Sequence, residues 1–380
     1  MAQVEVVDTA DIRSDEMVLN MGPQHPSTHG VLRLELGTDG EIVRWVRPHL
    51  GYLHRCFEKH AENLTYPQVI PFTDRMDYMA SMNNNLGYVL AVERLMDIKV
   101  PERVEYIRVI VCELNRIASH LISFGTYGLD IGAFTPFLFA FRERERIFDL
   151  LEMTCGARML YNYIWVGGVS HDLPDGFMEA ANVFVDEFQK SIDEYNAILS
   201  GNKVFVARTA DVGILPADLA VNYNITGPNL RGSGIKWDLR RDEPYSIYDR
   251  FEFDIPVGLG EMGTVGDCWD RYMVRIREME QSIRILKQAL KQIPKGNVHA
   301  SIPKQVKPPK GECYFRTETP KGELGIYVIS DGTATPYRVK VKSPCFVALS
   351  VLPEICKGAM IADIIAIVGS IDIVLGEVDR

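Results

Sequence analysis

Hydrophobic and polar positions follow a strand-like spacing near the start of the chain. Residues 16–50 contain three short apolar runs, MVLNM, VLRLEL and EIVRWV, which are typical of β-strands. The turn residues Asp39 and Gly40 between the second and third runs predict a hairpin. A polar loop, residues 22–30, separates the first two runs. We therefore expect a small N-terminal sheet with a polar connecting loop.

The spacing becomes helical from about Arg55 to Ser200, where apolar residues recur every three or four positions. One apolar face is formed by Val104, Ile107, Val111, Leu114, Ala118, Leu121 and Ile122. The same spacing predicts a second long helix from Asp267 to about Ile293. Together these segments predict a buried helical bundle.

Strand-like runs return near the C-terminus. The Pro-rich segment 303–309 predicts a linker, and residues 323–330 and 336–342 predict two strands joined through Asp331 and Gly332. We expect an α+β fold in three parts. These are residues 1–54 with the sheet and its histidine-containing loop, residues 55–300 with the helical bundle core, and residues 301–380 with the linker, a C-terminal β element and a buried C-terminus.

Charge and apolar patterning argue against two classes of protein. The net charge of -10 is unsuited to broad binding of nucleic acid, which requires clustered Lys and Arg. The most apolar stretch, residues 359–376, contains Asp363 and Asp372, which would be costly within a bilayer, so no transmembrane segment is expected. The N-terminus has no targeting signal, and we expect the chain to stay in the compartment where it is made.

The seven cysteines are scattered and form no Cys-x-x-Cys pair, which predicts reduced thiols and no metal bound by this chain alone. Residues 258–263 (GLGEMG) match a dinucleotide-binding pattern and precede a helix. That helix leads into a Pro-rich linker, and no further strand with an acidic residue at its tip follows, as a βαβ unit would require. We interpret the motif as a Gly-rich loop.

Two segments carry candidate acid–base chemistry. The loop at residues 22–30 (GPQHPSTHG) holds His25 and His29, which either donate protons near neutral pH or serve as structural caps. Residues 73–78 (TDRMDY) are expected to form one or two helical turns with Arg75 and Tyr78 on one face. A phenol and an imidazole could bind the two ends of a quinone head group.

These segments and several others together resemble the family of the quinone-site D subunit (49-kDa type) of NADH:quinone oxidoreductase, respiratory complex I. The resemblance extends over nearly the whole chain. It rests on residues 21–30 (MGPQHPSTHG), 51–55 (GYLHR), 74–78 (DRMDY), 113–121 (ELNRIASHL), 141–145 (FRERE), 320–325 (PKGELG), 369–372 (GSID) and 376–380 (GEVDR).

The resemblance implies roles for individual residues. His29 resembles the histidine that contacts the quinone head group, Tyr78 its opposite partner, and Asp130 the acid that pairs with the histidine and favours its protonated form. Arg55 and Arg75 resemble the two arginines beside the terminal 4Fe-4S cluster, which belongs to the neighbouring B subunit. The implied substrate is a quinone (ubiquinone, plastoquinone or menaquinone).

The implied assembly is a proton-translocating NADH:quinone oxidoreductase, in which the chain is active only as part of the complex. The expected partners are subunits B, C and I and the membrane subunits H and A. The expected location is peripheral, on the cytoplasmic side of the plasma membrane or at the thylakoid membrane. A complex fed by ferredoxin or another donor, a hydrogenase and a nucleotide-binding enzyme acting alone remain as alternatives.

The family is also similar to the large subunit of [NiFe]-hydrogenases, so the resemblance implies that fold. Those enzymes bind nickel through two Cys-x-x-Cys pairs. Asp77 and Ala80 fall where the first pair would lie, and Val374 and Glu377 where the second would. Because these residues cannot replace four thiolates, no metal is expected, and the former metal pocket is expected to form the quinone pocket.

Two positions depart from the family pattern. Cys56 replaces the usual glycine after Arg55, and Leu160 replaces a histidine thought to couple the potential of the cluster to pH. Without that imidazole, we expect the cluster's reduction potential to depend weakly on pH, as suits a low-potential quinone such as menaquinone. A redox titration of the cluster tests this prediction, and a steep slope of potential against pH would contradict it.

Overall fold

The computed structural model describes residues 16–380 of the chain. The prediction that the N-terminus lacks a targeting signal concerns residues before this range and lies outside the described part. Within residues 16–380, no helix is long and apolar enough to cross a membrane. In the same range the seven cysteines form no disulfide, and five of them are buried.

The N-terminal part is a three-stranded antiparallel sheet in the order β1-β2-β3, formed by β1 (Glu16–Met21), β2 (Arg33–Asp39) and β3 (Ile42–His49). Asp39 pairs with Ile42, and Gly40 adopts a φ of +58°, so the predicted hairpin is confirmed. The loop between β1 and β2 includes a short 3-10 helix, Pro26–Thr28. This loop contacts α14 (Ile361–Ile371), near the end of the chain.

The helical body is confirmed and is built around two long helices, α4 (Glu102–Asp130) and α11 (Cys268–Gln292), which pack against each other. Most of α4 is buried on all sides, as expected for a helix at the centre of a large core. The other helices are α1 (Phe57–Ala61), α2 (Tyr66–Asp74), α3 (Ser81–Met96), α5 (Thr135–Cys155), α6 (Phe177–Tyr195), α7 (Lys203–Thr209), α8 (Ala217–Asn222), α9 (Gly227–Gly232) and α10 (Leu239–Asp242).

A side-chain cap sets the start of helix α11, and a proline sets its end. The carboxylate of Asp267 accepts a hydrogen bond from the Asp270 amide at 2.8 Å and so caps the first turn. The helix ends just before Pro294, in agreement with the prediction.

A two-stranded ribbon, β4 (Ile164–Trp165) and β5 (Gly168–Val169), interrupts the helical region and was not expected from the spacing.

The C-terminal β element has three antiparallel strands, β6 (Gly311–Thr319), β7 (Gly322–Ser330) and β8 (Arg338–Lys342). The prediction of β7 and β8 is confirmed, whereas β6 was missed. The chain then forms α12 (Pro344–Ser350), α13 (Leu352–Ile355), α14 and α15 (Leu375–Asp379). A continuous hydrophobic core includes residues from all three predicted parts, and the exact boundaries between these parts stay a prediction.

The last residues are tied to the segment after β3. The Asp379 carboxylate accepts hydrogen bonds from the amides of Gly51 and Leu53, at 2.9 and 2.7 Å, and the His54 ring bonds the Asp379 carbonyl oxygen at 2.8 Å. These contacts hold α15 against residues 51–54 and so fix the position of the C-terminal segment.

A buried ion network lies between α4, α9, α10 and α11. The Glu278 carboxylate accepts hydrogen bonds from Arg231 at 3.0 Å and Arg240 at 2.8 Å, and lies 2.8 Å from the His120 ring nitrogen. Burial raises the pKa of Glu278, but the charges of Arg231 and His120 outweigh this effect and lower the pKa well below its usual value. Glu278 is therefore an anion that compensates buried cations.

We predict that Glu278→Ala destabilises the protein by about 3–5 kcal/mol, because it leaves Arg231 and Arg240 without a central counter-ion. Urea denaturation of the purified chain measures this loss. The matched control is Asp254→Ala, which breaks an exposed pair with Arg284 at 2.5 Å and should cost at most about 1 kcal/mol. Equal stability losses in the two variants would contradict the prediction.

Candidate functional site

A cavity of about 330 Å³ lies between the β1–β2 loop, the end of α4 and the segment after α14. Three residues singled out from the sequence, His29, Tyr78 and Asp130, line it together with Lys321 and Asp372. Apolar side chains form much of the remaining wall, including Met79, Ile122, Leu129, Ile373 and Val374. The cavity therefore combines apolar walls with a few polar groups, as small-molecule sites generally do.

The two histidines of the β1–β2 loop have different roles. His25 caps the 3-10 helix, because its Nδ1 accepts the Ser27 amide at 3.2 Å and its carbonyl oxygen accepts the Thr28 hydroxyl at 2.7 Å. His29 ends this helix with a left-handed φ of 52° and lines the cavity. His25 is therefore a structural cap, and His29 belongs to the candidate site.

His29 Nε2 lies 2.7 Å from Asp130 Oδ2, and both side chains are largely buried. Asp130 is the last residue of α4, so its carboxylate lies at the C-terminal end of that helix, beside the His29 ring. Gly369 of α14 makes this arrangement possible. A Cβ atom there would lie 2.6 Å from the Tyr127 ring and 3.0 Å from Asp130 Oδ2.

Tyr78 lies in a turn, and the expectation that residues 73–78 form helical turns with Arg75 and Tyr78 on one face is wrong. Helix α2 ends at Asp74. The Asp77 carboxylate accepts the amides of Met79 and Ala80, at 3.0 and 3.2 Å, and this local bonding competes with helix continuation. As a result, Tyr78 and Arg75 line different cavities.

Burial and the nearby Asp77 charge raise the pKa of Tyr78, while Lys321 opposes them. The phenol is therefore protonated at neutral pH and can donate a hydrogen bond into the cavity. Lys321 and Asp372 form a buried ion pair at 2.6 Å, and Arg275 Nε lies 3.4 Å from the same carboxylate oxygen. The sequence pattern had assigned no role to Lys321 or Asp372, because the turn between β6 and β7 that buries Lys321 was not predicted.

A second cavity of about 500 Å³ is lined by Arg75 and Met76, in the same turn region as Tyr78. Arg55 also lines it, and the Arg55 guanidinium donates to the Arg75 carbonyl oxygen. Gly376 lines this cavity too, and a Cβ atom there would lie 2.6 Å from the Met76 carbonyl oxygen and 3.2 Å from the Arg55 guanidinium. The two arginines predicted to act together are therefore neighbours.

The four positions compared with nickel ligands are all buried, and they hold two carboxyl groups, Asp77 and Glu377, and two aliphatic side chains, Ala80 and Val374. Across residues 16–380, no group of three or more His, Cys, Asp or Glu residues is arranged to hold a metal ion.

Two glycine amides of the GLGEMG loop are bonded within the chain. The Gly258 amide donates to the Arg231 carbonyl oxygen at 2.8 Å, and the Asp270 carboxylate accepts the Gly260 amide at 3.0 Å. Acceptors of the chain thus occupy amide donors that a bound anion would need.

The fold and the site define a class of α+β protein with a cavity that holds a His–Asp pair and a tyrosine, together with a second cavity lined by two arginines. A family model described as "Respiratory-chain NADH dehydrogenase, 49 Kd subunit" matches residues 130–309 and 300–380. The chain belongs to this family, as the resemblance predicted.

Curated relatives agree over nearly the full length. The chain is 57% identical over 374 residues to the NADH-quinone oxidoreductase D subunit of Chlorobaculum tepidum, covering 97% of this chain and 94% of the relative. It is 55% identical over 379 residues to the D subunit of Chlorobium luteolum, covering 99% and 96%. It is also 55% identical over 385 residues to one D subunit of Cytophaga hutchinsonii, covering 99% and 98%.

Proposed function

We propose that this chain forms one wall of the quinone-reduction chamber in a proton-pumping complex I-type oxidoreductase. The observation that carries the proposal is the convergence of the His29–Asp130 pair and Tyr78 on one cavity with apolar walls. Relatives named as the D subunit of NADH-quinone oxidoreductase support the substrate and favour NADH as the ultimate donor over ferredoxin.

Reduction of a quinone to a quinol requires two electrons and two protons. In the proposal, His29 and Tyr78 bind the two oxygens of the head group and each donates one proton. When His29 becomes neutral, Asp130 keeps its negative charge and loses its counter-ion. Other subunits could use this uncompensated, largely buried charge to couple quinone reduction to proton pumping.

The electrons would come from the terminal 4Fe-4S cluster of the B subunit, on the side of the second cavity. Arg55 and Arg75 support this orientation, since two permanent positive charges stabilise the reduced form of a nearby cluster and so raise its potential. Arg75 lines the second cavity and Tyr78, three residues later, lines the first, which would keep the electron path short.

The remaining assignments follow from family membership and are proposals for this chain. We infer contacts with subunits B, C and I and with membrane subunits H and A. We also infer a peripheral position on the cytoplasmic side of the plasma membrane or at the thylakoid membrane. The quinone is ubiquinone, plastoquinone or menaquinone.

We predict that Tyr78→Phe lowers the rate of quinone reduction by the assembled complex at least about tenfold, because the ring stays but the proton donor is lost. Electron transfer from NADH to an artificial acceptor should not change. The matched control is Tyr337→Phe, at an exposed position, which should leave both rates intact. Normal quinone reduction by Tyr78→Phe would refute the chamber assignment.

We also predict that Asp130→Asn lowers turnover roughly tenfold, because the amide keeps the size of the side chain but removes the charge that favours the imidazolium form of His29. Steady-state quinone reduction measures the effect. Asp149→Asn, which changes an exposed carboxylate bonded to Arg158, is the control. Equal turnover in the two variants would show that the charge of Asp130 is not used.

A further inference from the structure

We propose that Asp77 and Glu377, two buried carboxyl groups next to Tyr78, hold one proton between them and return it to the Tyr78 phenol after each quinone reduction. This inference rests on the proposed function, because it assigns the source of one of the two protons. It gives a role to two residues that occupy former metal-ligand positions and that the chemistry above does not use.

In each carboxyl group, one oxygen accepts a hydrogen bond and the other accepts none from residues 16–380. Asp77 Oδ1 accepts two backbone amides, and Glu377 Oε2 accepts the Cys345 amide at 3.3 Å. Within residues 16–380, Asp77 Oδ2 and Glu377 Oε1 have no hydrogen-bond partner, although both side chains are fully buried. A buried carboxylate oxygen without a donor is costly, and a proton on that oxygen removes the charge.

The two groups lie on segments that touch. Gly376, the neighbour of Glu377, packs against the carbonyl oxygen of Met76, the neighbour of Asp77. Burial raises the pKa of Glu377 to about 7, with the Asp77 charge as the next cause. Burial also raises the pKa of Asp77, opposed by Lys321. Because each negative charge disfavours the other, one of the two carboxyl groups stays protonated until the pH rises above about 7.

The charges around Asp77 and Glu377 favour a state in which these two groups share one proton. The cations Lys321 and Arg275 both face Asp372, so one positive charge remains for Asp77 and Glu377. Two ionised carboxylates would leave the cluster with an excess negative charge, whereas one shared proton makes it neutral.

Two further groups complete the surroundings. Burial raises the pKa of the Cys345 thiol well above its usual value, so Cys345 stays neutral. Arg55 lies on the side of the second cavity, where it bonds the Arg75 carbonyl oxygen. Neither group supplies a counter-charge that would let both carboxyl groups ionise.

The transfer is a simple exchange of one proton. Tyr78 loses its O–H proton to the oxygen of the quinone, which has received the electron pair, and becomes a phenolate. The carboxyl O–H of the Asp77–Glu377 pair then breaks, and its proton forms a new O–H bond on Tyr78. The pair becomes doubly ionised and takes a proton from solvent before the next turnover. Asp77 is adjacent to Tyr78 in the sequence and influences its pKa.

The kinetic test uses the assembled complex with Glu377→Gln, which keeps the shape of the side chain and removes its proton. We expect kcat to fall about tenfold, with KM for quinone changed less than about twofold. In the wild type, the pair is protonated below a pH of about 7 and ionised above it, so turnover should fall as pH rises through that value. In Glu377→Gln this dependence should disappear, because an amide does not titrate. Unchanged kcat and an unchanged pH profile would overturn the proposal.

A spectroscopic test reports the proton directly. Reaction-induced infrared difference spectra of the wild-type complex should contain a protonated-carboxyl band that shifts in D2O, and both Glu377→Gln and Asp77→Asn should lose it. Glu187→Gln, at an exposed carboxylate, should keep it. If the variants do not assemble, the wild type decides alone. The absence of a protonated carboxyl that titrates near a pH of about 7 overturns the proposal.

Comparison with Tyr78→Phe separates the proton store, which is the proton held by Asp77 and Glu377, from the proposed quinone chamber. Loss of quinone reduction in Tyr78→Phe together with normal kinetics in Glu377→Gln overturns the proton store and leaves the chamber in place. Normal kinetics in both variants overturns both. Loss of quinone reduction in both, with the pH dependence absent from both because neither variant has a complete proton route from the carboxyl pair to the Tyr78 phenol, supports both.

Discussion

The buried ion pair between Lys321 and Asp372 connects parts of the chain that are far apart in sequence. Lys321 lies in the turn between β6 and β7, and Asp372 ends α14 in a left-handed conformation. Removing both charges from water is costly, and only a short contact with further partners offsets this cost. Their separation of 2.6 Å and the nearby Arg275 meet that condition. The pair thereby holds the C-terminal segment against the β element beside the first cavity, which both residues line.

Close packing around this pair buries the titratable groups next to the candidate site. Gly369 and Gly376 let the C-terminal segment approach Asp130 and Met76 more closely than any larger side chain would allow. Carboxyl groups placed there lose water, so burial raises the pKa of Asp77 and Glu377.

Much of the fold could be predicted from the sequence, because the spacing of apolar residues reflects short-range geometry. The hairpin at Asp39 and Gly40 and the limits of α11 followed from local rules. The same rules were wrong for residues 73–78. There the Asp77 side chain competes with the helix for backbone amides, and a tertiary environment keeps it buried. Strand β6 was missed because Glu312, Arg316 and Glu318 interrupt its apolar positions, whereas β7 has a continuous apolar run.

The sequence by itself determined the helical and strand periodicities, the lack of paired cysteines and the family. It also named His29, Tyr78, Asp130, Arg55 and Arg75 through resemblance. Only the tertiary structure decided that His25 is a cap while His29 meets Asp130, 101 residues away, and that Arg75 and Tyr78 line different cavities. The physical reason is that local patterns are set by neighbours within a few residues, whereas the charge and solvation of a site depend on which distant segments the whole core brings together.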